Sequence, residues 1–502
     1  MSSMSIELTL NPEKLEAIRE MDPRVQSYNI EMTELTGGTF WVPYTPEQIS
    51  GEEAFPTCDK MEDMMKMLAG MQTKVPAINL YDEKIRSFAK AFGPVVIRFS
   101  GSWATRTYYD FDGHTGGKAP EGFEFVLTKE QWQGALDFVK AVNGQILVSV
   151  ANSFGVHEDH TGAWMPEQAE ILWKYTEEQG MKIEYAEFMN EPNMLNGMCL
   201  PDGYTLDDYG RDYDLFAKWL RENHPETKLV GPCSAENERG AAAGGMAALL
   251  LGTEDIMKRC KEAPDYYSYH SYNGISERGQ MFGAHFDFDA VTSEYYLGAT
   301  MEDLHYNETI RDKYAPGAEM WVTESADAAC GGNTWGPTFV ETIRYVDELA
   351  RFNVNTKGII FHNTLASSAY GLLDADTHMP RPQYWGALLY SRLAGTTVYD
   401  TKEEIREGAH VYAQSRKDGE KGFCYVIINN SREEETLVHV PACVQYTLSA
   451  DSLRSQEIKL NGNVIASGED GTIPELKGEE KEAGTITLAP CTVTYLVVGD
   501  ER

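Results

Sequence analysis

Closely spaced cysteine pairs are missing from this chain. Its eight cysteines, at positions 58, 199, 233, 260, 330, 424, 443 and 491, form no CxxC, which argues against a disulfide scaffold and a thiolate metal site. Apolar runs of about 20 residues are missing too, so no membrane span is expected. Basic charge is scarce: 43 Lys and Arg against 78 Asp and Glu give a net charge of −35. A surface that negative repels nucleic acid, anionic membranes and polyanionic polymers, and no local basic cluster offsets it. The first residues, "MSSMSIELTLNPEKL", lack a basic segment followed by an apolar stretch. No secretory signal is read there, and a cytoplasmic protein with scattered free thiols is expected. No Gly-rich phosphate fingerprint follows any strand-like run.

What is present is a large apolar share and a regular alternation. With 502 residues, 42% of them hydrophobic and 11% aromatic, the chain can bury a sizeable core. Strand-like runs occur at 27–32, 95–101, 145–152, 183–190, 228–233, 266–272, 319–325 and 358–363. Between them lie segments such as "TKEQWQGALDFVKAV" (128–142) and "PTFVETIRYVDELARF" (337–352), with apolar residues at three- and four-residue spacing. Eight strands alternating with helices predict a parallel (β/α)8 TIM barrel. A doubly wound sheet is the alternative, but it would carry the missing phosphate fingerprint. After about residue 395 the helical spacing gives way to short runs separated by Gly, Asn and Asp turns, which predicts a C-terminal β-sandwich. The expected division is an N-terminal segment 1–26, a catalytic barrel 27–394 and a sandwich 395–502. The early run "SIELTL" can add a strand to the sandwich.

Within that pattern, "YAEFMNEPNML" (185–195) places Glu191 directly past the fourth strand, with a proline after it. Glu324, in "WVTESAD", ends the seventh. Active sites of such barrels sit at the C-terminal strand ends. Two carboxylates converging from separate ends, ~5–5.5 Å apart, are the nucleophile and acid/base of a retaining glycosidase. One strand-end Glu alone reads as a helix cap or surface charge; two at these ends, one within Asn-Glu-Pro, point to catalysis. Arg98 follows an apolar run in "VVIRFSG" and needs a carboxylate partner if buried. Glu324 is the candidate, keeping a nucleophile ionised or forming a structural ion pair. His270 and Tyr272 end the sixth strand and can donate to the nucleophile or to sugar hydroxyls. Asn190 is expected near the sugar 2-OH. "HEDH" (157–160) lacks HExxH spacing and companion ligands, so no metal is expected.

The motifs "RFSGS" (98–102), "EFMNEPN" (187–193), "HSYNG" (270–274), "TESADAACGG" (323–332) and "AYGLLDADTHMPRPQYWGALLYSRLAGTTV" (369–398) resemble those of glycoside hydrolase family 79, the heparanase and β-glucuronidase family. The resemblance runs from about Asn29 into the C-terminal sandwich. Asn-Glu-Pro alone marks only the wider clan of (β/α)8 retaining enzymes; the last stretch makes the resemblance specific. It implies Glu191 as acid/base and Glu324 as nucleophile, with Asn190 and Ser102 beside the substrate. It also implies that Gly331 and Gly332 hold the substrate carboxylate through backbone N–H groups, with Tyr370 in the same subsite. Glu31 stands where relatives can carry an aspartate that grips sugar hydroxyls. The tyrosine expected just before the glycines appears here as Ala329 or Cys330.

The expected activity is a retaining exo-β-glycosidase without cofactor, a β-glucuronidase acting on small aglycones or glycan ends. A β-glucosidase, β-galactosidase or β-xylosidase is the alternative on the same scaffold, and a non-catalytic carbohydrate-binding protein is the alternative of another class. An endo-acting heparanase would need basic side chains for sulfates. The loops after the fifth and sixth strands offer Arg239 and Arg278 but set Glu236, Glu238 and Glu277 beside them. The expected partner is a small glycoside, with no nucleic acid and no membrane.

Overall fold

The computed structural model describes residues 6–56, 61–236 and 248–499. Eight parallel strands close into a barrel. In chain order they are β1 (Gln26–Glu31), β2 (Val95–Ser100), β3 (Gly144–Ser149), β4 (Tyr185–Glu187), β5 (Lys228–Ser234), β6 (Tyr266–Ile275), β7 (Glu319–Ala329) and β8 (Ile360–His362). β8 pairs with β1 and closes the ring, Phe361 opposite Ser27. Helices follow the strands and cover the outside.

Strand parity divides the wall into two faces. In β2, Ile97 and Phe99 pack outward, Phe99 edge-on to Trp132 of helix Lys129–Ala141 with ring centres 5.5 Å apart. That helix starts on Thr128, whose hydroxyl accepts from the Gln131 N–H while the Gln131 side chain accepts from the Thr128 N–H. Val96, Leu147, Tyr185, Val230, Trp321 and Phe361 point inward and form a separate apolar plug at the barrel floor. Two residues further along the same faces come Arg98, Ser149 and Glu187, so a polar layer rests directly on the plug.

The last part of the chain forms two antiparallel-rich sheets. The larger includes Ala394–Asp400, His410–Arg416, Gly422–Asn429, Cys443–Ser449 and Thr492–Gly499, with Glu16–Glu20 added at its edge. The smaller has Thr436–Val440 at its centre, parallel to Ile6–Thr9 on one side and antiparallel to Gly484–Leu488 on the other. The early strand thus joins the sandwich, one N-terminal strand to each sheet. In Gly422–Asn429, Phe423, Tyr425 and Ile427 face the smaller sheet, while Cys424, Val426 and Ile428 face the barrel helices. Both faces are buried, so this sheet cements the sandwich to helices Phe339–Asn355 and Pro382–Leu393. Among the described residues no helix is long and apolar enough to cross a membrane, and the seven described cysteines are free thiols.

Candidate active site

Glu324 is aimed into the barrel by a one-residue bulge. Tyr269 pairs with Val322 and His270 with Glu324, so Thr323 is passed over in the β6–β7 ladder. Trp321 points inward, and without the extra residue Glu324 would turn out toward the helices. Arg98 Nη1 donates to its Oε1 at 3.0 Å, and the Tyr272 hydroxyl donates to its Oε2 at 2.6 Å.

Glu191 sits just past β4 with φ 48°, a left-handed conformation that costs a non-glycine residue about 1–2 kcal/mol. Its N–H donates to Cys233 O of β5 at 3.1 Å, and its Oε1 lies 2.8 Å from His270 Nδ1. Arg98 can only donate, so His270 Nε2, 3.4 Å from Arg98 Nη2, is the acceptor. The imidazole proton therefore sits on Nδ1, facing Glu191, with Glu324 Oε2 3.5 Å away. One oxygen of Glu191, one of Glu324 and one His270 nitrogen all lie within 4.8 Å of one another.

Arg98 is fully buried and has a second carboxylate, Glu187, bound by Nε at 3.0 Å and by Nη2 at 2.7 Å. Burial would raise the Glu187 carboxyl. The Arg98 charge, with hydrogen bonds from Arg98, Cys233 and Ser100, outweighs that and holds it down at about 2. Glu187 is thus a fixed anion. Its role was missed in the sequence, although it lies within a quoted motif, and parity with Tyr185 was the available signal. Asn363 was missed as well. Its Nδ2 donates to Tyr272 at 3.0 Å and to Tyr370 at 3.1 Å, while its Oδ1 accepts from Asn29 at 3.1 Å. Both tyrosines then keep their own protons for donation: Tyr272's goes to Glu324, and Tyr370's is available to a ligand.

A cavity of about 890 Å³ opens over this layer. Glu31, Ser102, Asn190, Glu191, Tyr272, Glu324 and Tyr370 line it, while Arg98 and His270 lie beneath and act through the two carboxylates. Asn190 accepts from Arg98 at 2.7 Å and donates to Ser102 Oγ at 3.4 Å. Burial pushes the Glu31 carboxyl well above its ordinary range, and the Glu324 charge adds to the effect. Glu31 packs against Gly101, which has φ 89° and whose place a side chain could not share with the carboxyl. Burial likewise raises Tyr272 and Tyr370, with Glu324 next among the causes for Tyr272 and Glu31 for Tyr370.

The glycine loop departs from its expected arrangement. Neither Gly331 nor Gly332 borders the cavity; Ala329 and Cys330 do. The Gly332 N–H donates to Ala328 O at 3.2 Å, because the chain turns back on itself there through three left-handed residues, Cys330, Gly331 and Gly332. The N–H groups of Cys330 and Gly331 have no partner among the described residues. Arg278, in the loop after β6, is not at the cavity either. It donates to Cys330 O at 3.1 Å and Val42 O at 2.8 Å and stacks over Tyr44 at 3.9 Å. Glu277 is held by Thr334, whose N–H donates at 3.0 Å and hydroxyl at 2.7 Å. Glu236 accepts from the Tyr306 hydroxyl at 3.0 Å, away from the cavity; Glu238 and Arg239 lie outside the described residues. In "HEDH", His157 is buried and its Nδ1 bonds Gly162 O at 3.0 Å.

No protein-family model matches the chain. Against curated proteins it is 25% identical over 383 residues to Heparanase-like protein 1 of Arabidopsis thaliana, covering 74% of this chain and 68% of that protein. It is 22% identical over 479 residues to Hyaluronoglucuronidase of Hirudo nipponia, covering 84% and 90%. It is 22% identical over 462 residues to Baicalin-beta-D-glucuronidase of Scutellaria baicalensis, covering 84% and 83%. Among solved structures, a 4-O-alpha-L-rhamnosyl-beta-D-glucuronidase from Fusarium oxysporum superimposes with a TM-score of 0.62 at 12% identity, over 98% of this chain and 100% of that one. That likeness bears on the fold, a (β/α)8 barrel with a C-terminal sandwich. By sequence kinship, this chain is a glycoside hydrolase related to the heparanases and β-glucuronidases of family 79.

Proposed function

We propose that the chain is a retaining exo-β-glycosidase that releases a terminal β-glucuronate from a small aglycone. The observation that carries the reading is the approach of Glu191 and Glu324, oxygens within 4.8 Å at the foot of one cavity. That spacing suits the ~5–5.5 Å of retaining enzymes better than the ~6.5–9.5 Å of inverting ones. Glu324 attacks C1 while Glu191 gives its proton to the leaving oxygen; Glu191 then takes a proton from the water that frees the sugar. The Tyr272 and Arg98 hydrogen bonds hold one oxygen each of the Glu324 carboxylate and fix its direction.

Exo action is supported by the hairpin of Gly38–Trp41 and Gln72–Val75, which contributes Trp41 and Gln72 to the cavity wall. The segment that joins its two strands is stapled to the glycine loop, Tyr44 donating to Gly332 O at 2.8 Å. Uronate is supported by Glu31, whose raised affinity for protons, caused first by burial, weakens it as a repelling anion. The Tyr370 hydroxyl and the free Cys330 N–H supply donors, and two of the relatives carry glucuronidase in their names. A neutral hexoside is the second reading, favoured by the engagement of the Gly332 N–H within the loop. A panel of p-nitrophenyl β-glycosides decides between them. The glucuronide is expected to exceed the glucoside by about tenfold or more in kcat/KM, about 1.4 kcal/mol of transition-state discrimination. Equal or better glucoside hydrolysis assigns the site to a neutral sugar.

A further inference from the structure

We infer that the outer part of the cavity is an aglycone subsite for an apolar, flat leaving group such as a fused aryl ring. This rests on the glycosidase reading above. The leaving oxygen must come within hydrogen-bond reach of the Glu191 carboxyl, so the first atoms of the aglycone lie over the loop that follows Glu191. That loop gives Met194, Leu195 and Met198 to the wall, which also includes Leu206, Leu249 and Leu251. Leu249 is 75% exposed, an apolar side chain at the mouth with no cover among the described residues. Few polar groups there are free. The Tyr204 hydroxyl donates to Asp212 at 2.9 Å, and the Thr205 hydroxyl donates to Asp208 at 2.7 Å as a helix cap. Arg106, the one cation among the described lining residues, is paired with Glu124 at 2.7 Å. A sulfated or hydroxyl-rich aglycone would lose water there and find few partners, whereas an aryl ring would gain by burial.

The wall is also tied to the acid. Asn193, two residues past Glu191 and buried, donates through Nδ2 to Leu251 O at 2.6 Å, while the Leu251 N–H donates to Asn193 O at 3.0 Å. Its Oδ1 accepts from Ser234 Oγ at 3.0 Å and from the Ala235 N–H at 2.9 Å. The apolar rim of the β5 loop is therefore fixed relative to the proton donor, which places a ring lying on it in register with Glu191.

The test compares kcat/KM on 4-methylumbelliferyl β-glucuronide and on β-glucuronyl fluoride, for the wild type and the double variant Leu195→Ser/Leu249→Ser. Fluoride departs without acid assistance and is too small to touch the wall. The ratio of umbelliferyl to fluoride turnover should fall about tenfold in the variant, with the thermal melting point little changed. Turnover of the fluoride with an unchanged ratio overturns this inference alone. No turnover of either substrate by the wild type, with the neutral-sugar counterparts of both also inert, overturns the glycosidase reading and this inference with it.

Discussion

Arg98 touches or orders nearly every group in the proposed chemistry: it donates to Glu187, Glu324 and Asn190, and its approach sets the His270 tautomer. A buried guanidinium with a single carboxylate would form a neutral pair and weaken that carboxylate as a nucleophile. Here Glu187 takes two of the guanidinium nitrogens, so Glu324 keeps a hydrogen bond without being fully neutralised. The two catalytic candidates should separate kinetically. Glu324→Gln should lower turnover by at least about 10²–10⁴-fold on every aglycone, the general scale for losing one catalytic group. Glu191→Ala should lose most on poor leaving groups and little on activated phenols, and added azide should restore turnover with formation of a β-glycosyl azide. Near-normal rates in Glu324→Gln, or azide-insensitive loss in Glu191→Ala, would take the residue out of its role.

At the scale of elements, the glycine loop shows how a short stretch holds three parts of the molecule together. A side-chain carbon on Gly331, at φ 86°, would meet Trp41 Cγ at 2.6 Å and Ser368 Oγ at 2.7 Å, as well as the Arg278 guanidinium. Gly419 has a similar φ of 79° and nothing within 4 Å, so it isolates the backbone cost. Gly331→Ala should be less stable than Gly419→Ala by about 1–3 kcal/mol, the usual penalty for overpacking, and should also lose kcat/KM. Equal melting points for the two variants would mean that the loop simply relaxes. Element types and the strands that bring Glu191 and Glu324 to the site were legible, because two-residue spacing in strands and three- and four-residue spacing in helices is local. β7 runs on to Ala329, so Glu324 lies within it and does not end it. The bulge at Thr323 was not legible, since an extra residue in a ladder is defined only by the partner strand.

For the whole molecule, the junction between barrel and sandwich is electrostatic as well as apolar. His410 of the sheet lies 2.7 Å from Asp347 and 2.7 Å from Glu294 on barrel helices, and Asp347 also binds Arg351 at 2.8 Å and Tyr412 at 2.6 Å. Burial lowers the His410 pKa, but the Asp347 charge and the bonds to Asp347 and Glu294 prevail and raise it to about 9. A histidine raised in the folded state contributes stability that is full below its unfolded value of ~6.5 and is lost as pH climbs through about 9. The melting temperature should therefore fall between pH 7 and 9, and His410→Gln should flatten that slope; an unchanged slope would show the pair to be inert. Net charge makes a second prediction at this scale. With −35 overall and Arg106 already paired, heparan sulfate should emerge from size-exclusion chromatography unshortened at enzyme levels that cleave an aryl glycoside. Internal fragmentation would point to an endo-acting cleft instead.

The helix Phe339–Asn355 marks where reading along the chain ran out. Its spacing looks amphipathic, yet Glu341, Arg344, Asp347, Glu348 and Arg351 are all buried, paired with one another and with the sandwich. Nothing local in the sequence separates a charge that faces water from one that faces a second domain. The same holds at the site. The sequence by itself determined the barrel, the sandwich and the two strands, the fourth and the seventh, that bring the glutamates to the site, since these follow from periodicity and strand order. Only the tertiary structure decided that Glu187 shares Arg98, that Asn363 leaves two tyrosine protons free, and that the Gly332 N–H turns back to Ala328. Those are contacts between residues up to hundreds of positions apart or turns of the backbone, and their energies depend on burial and direction that no linear pattern encodes.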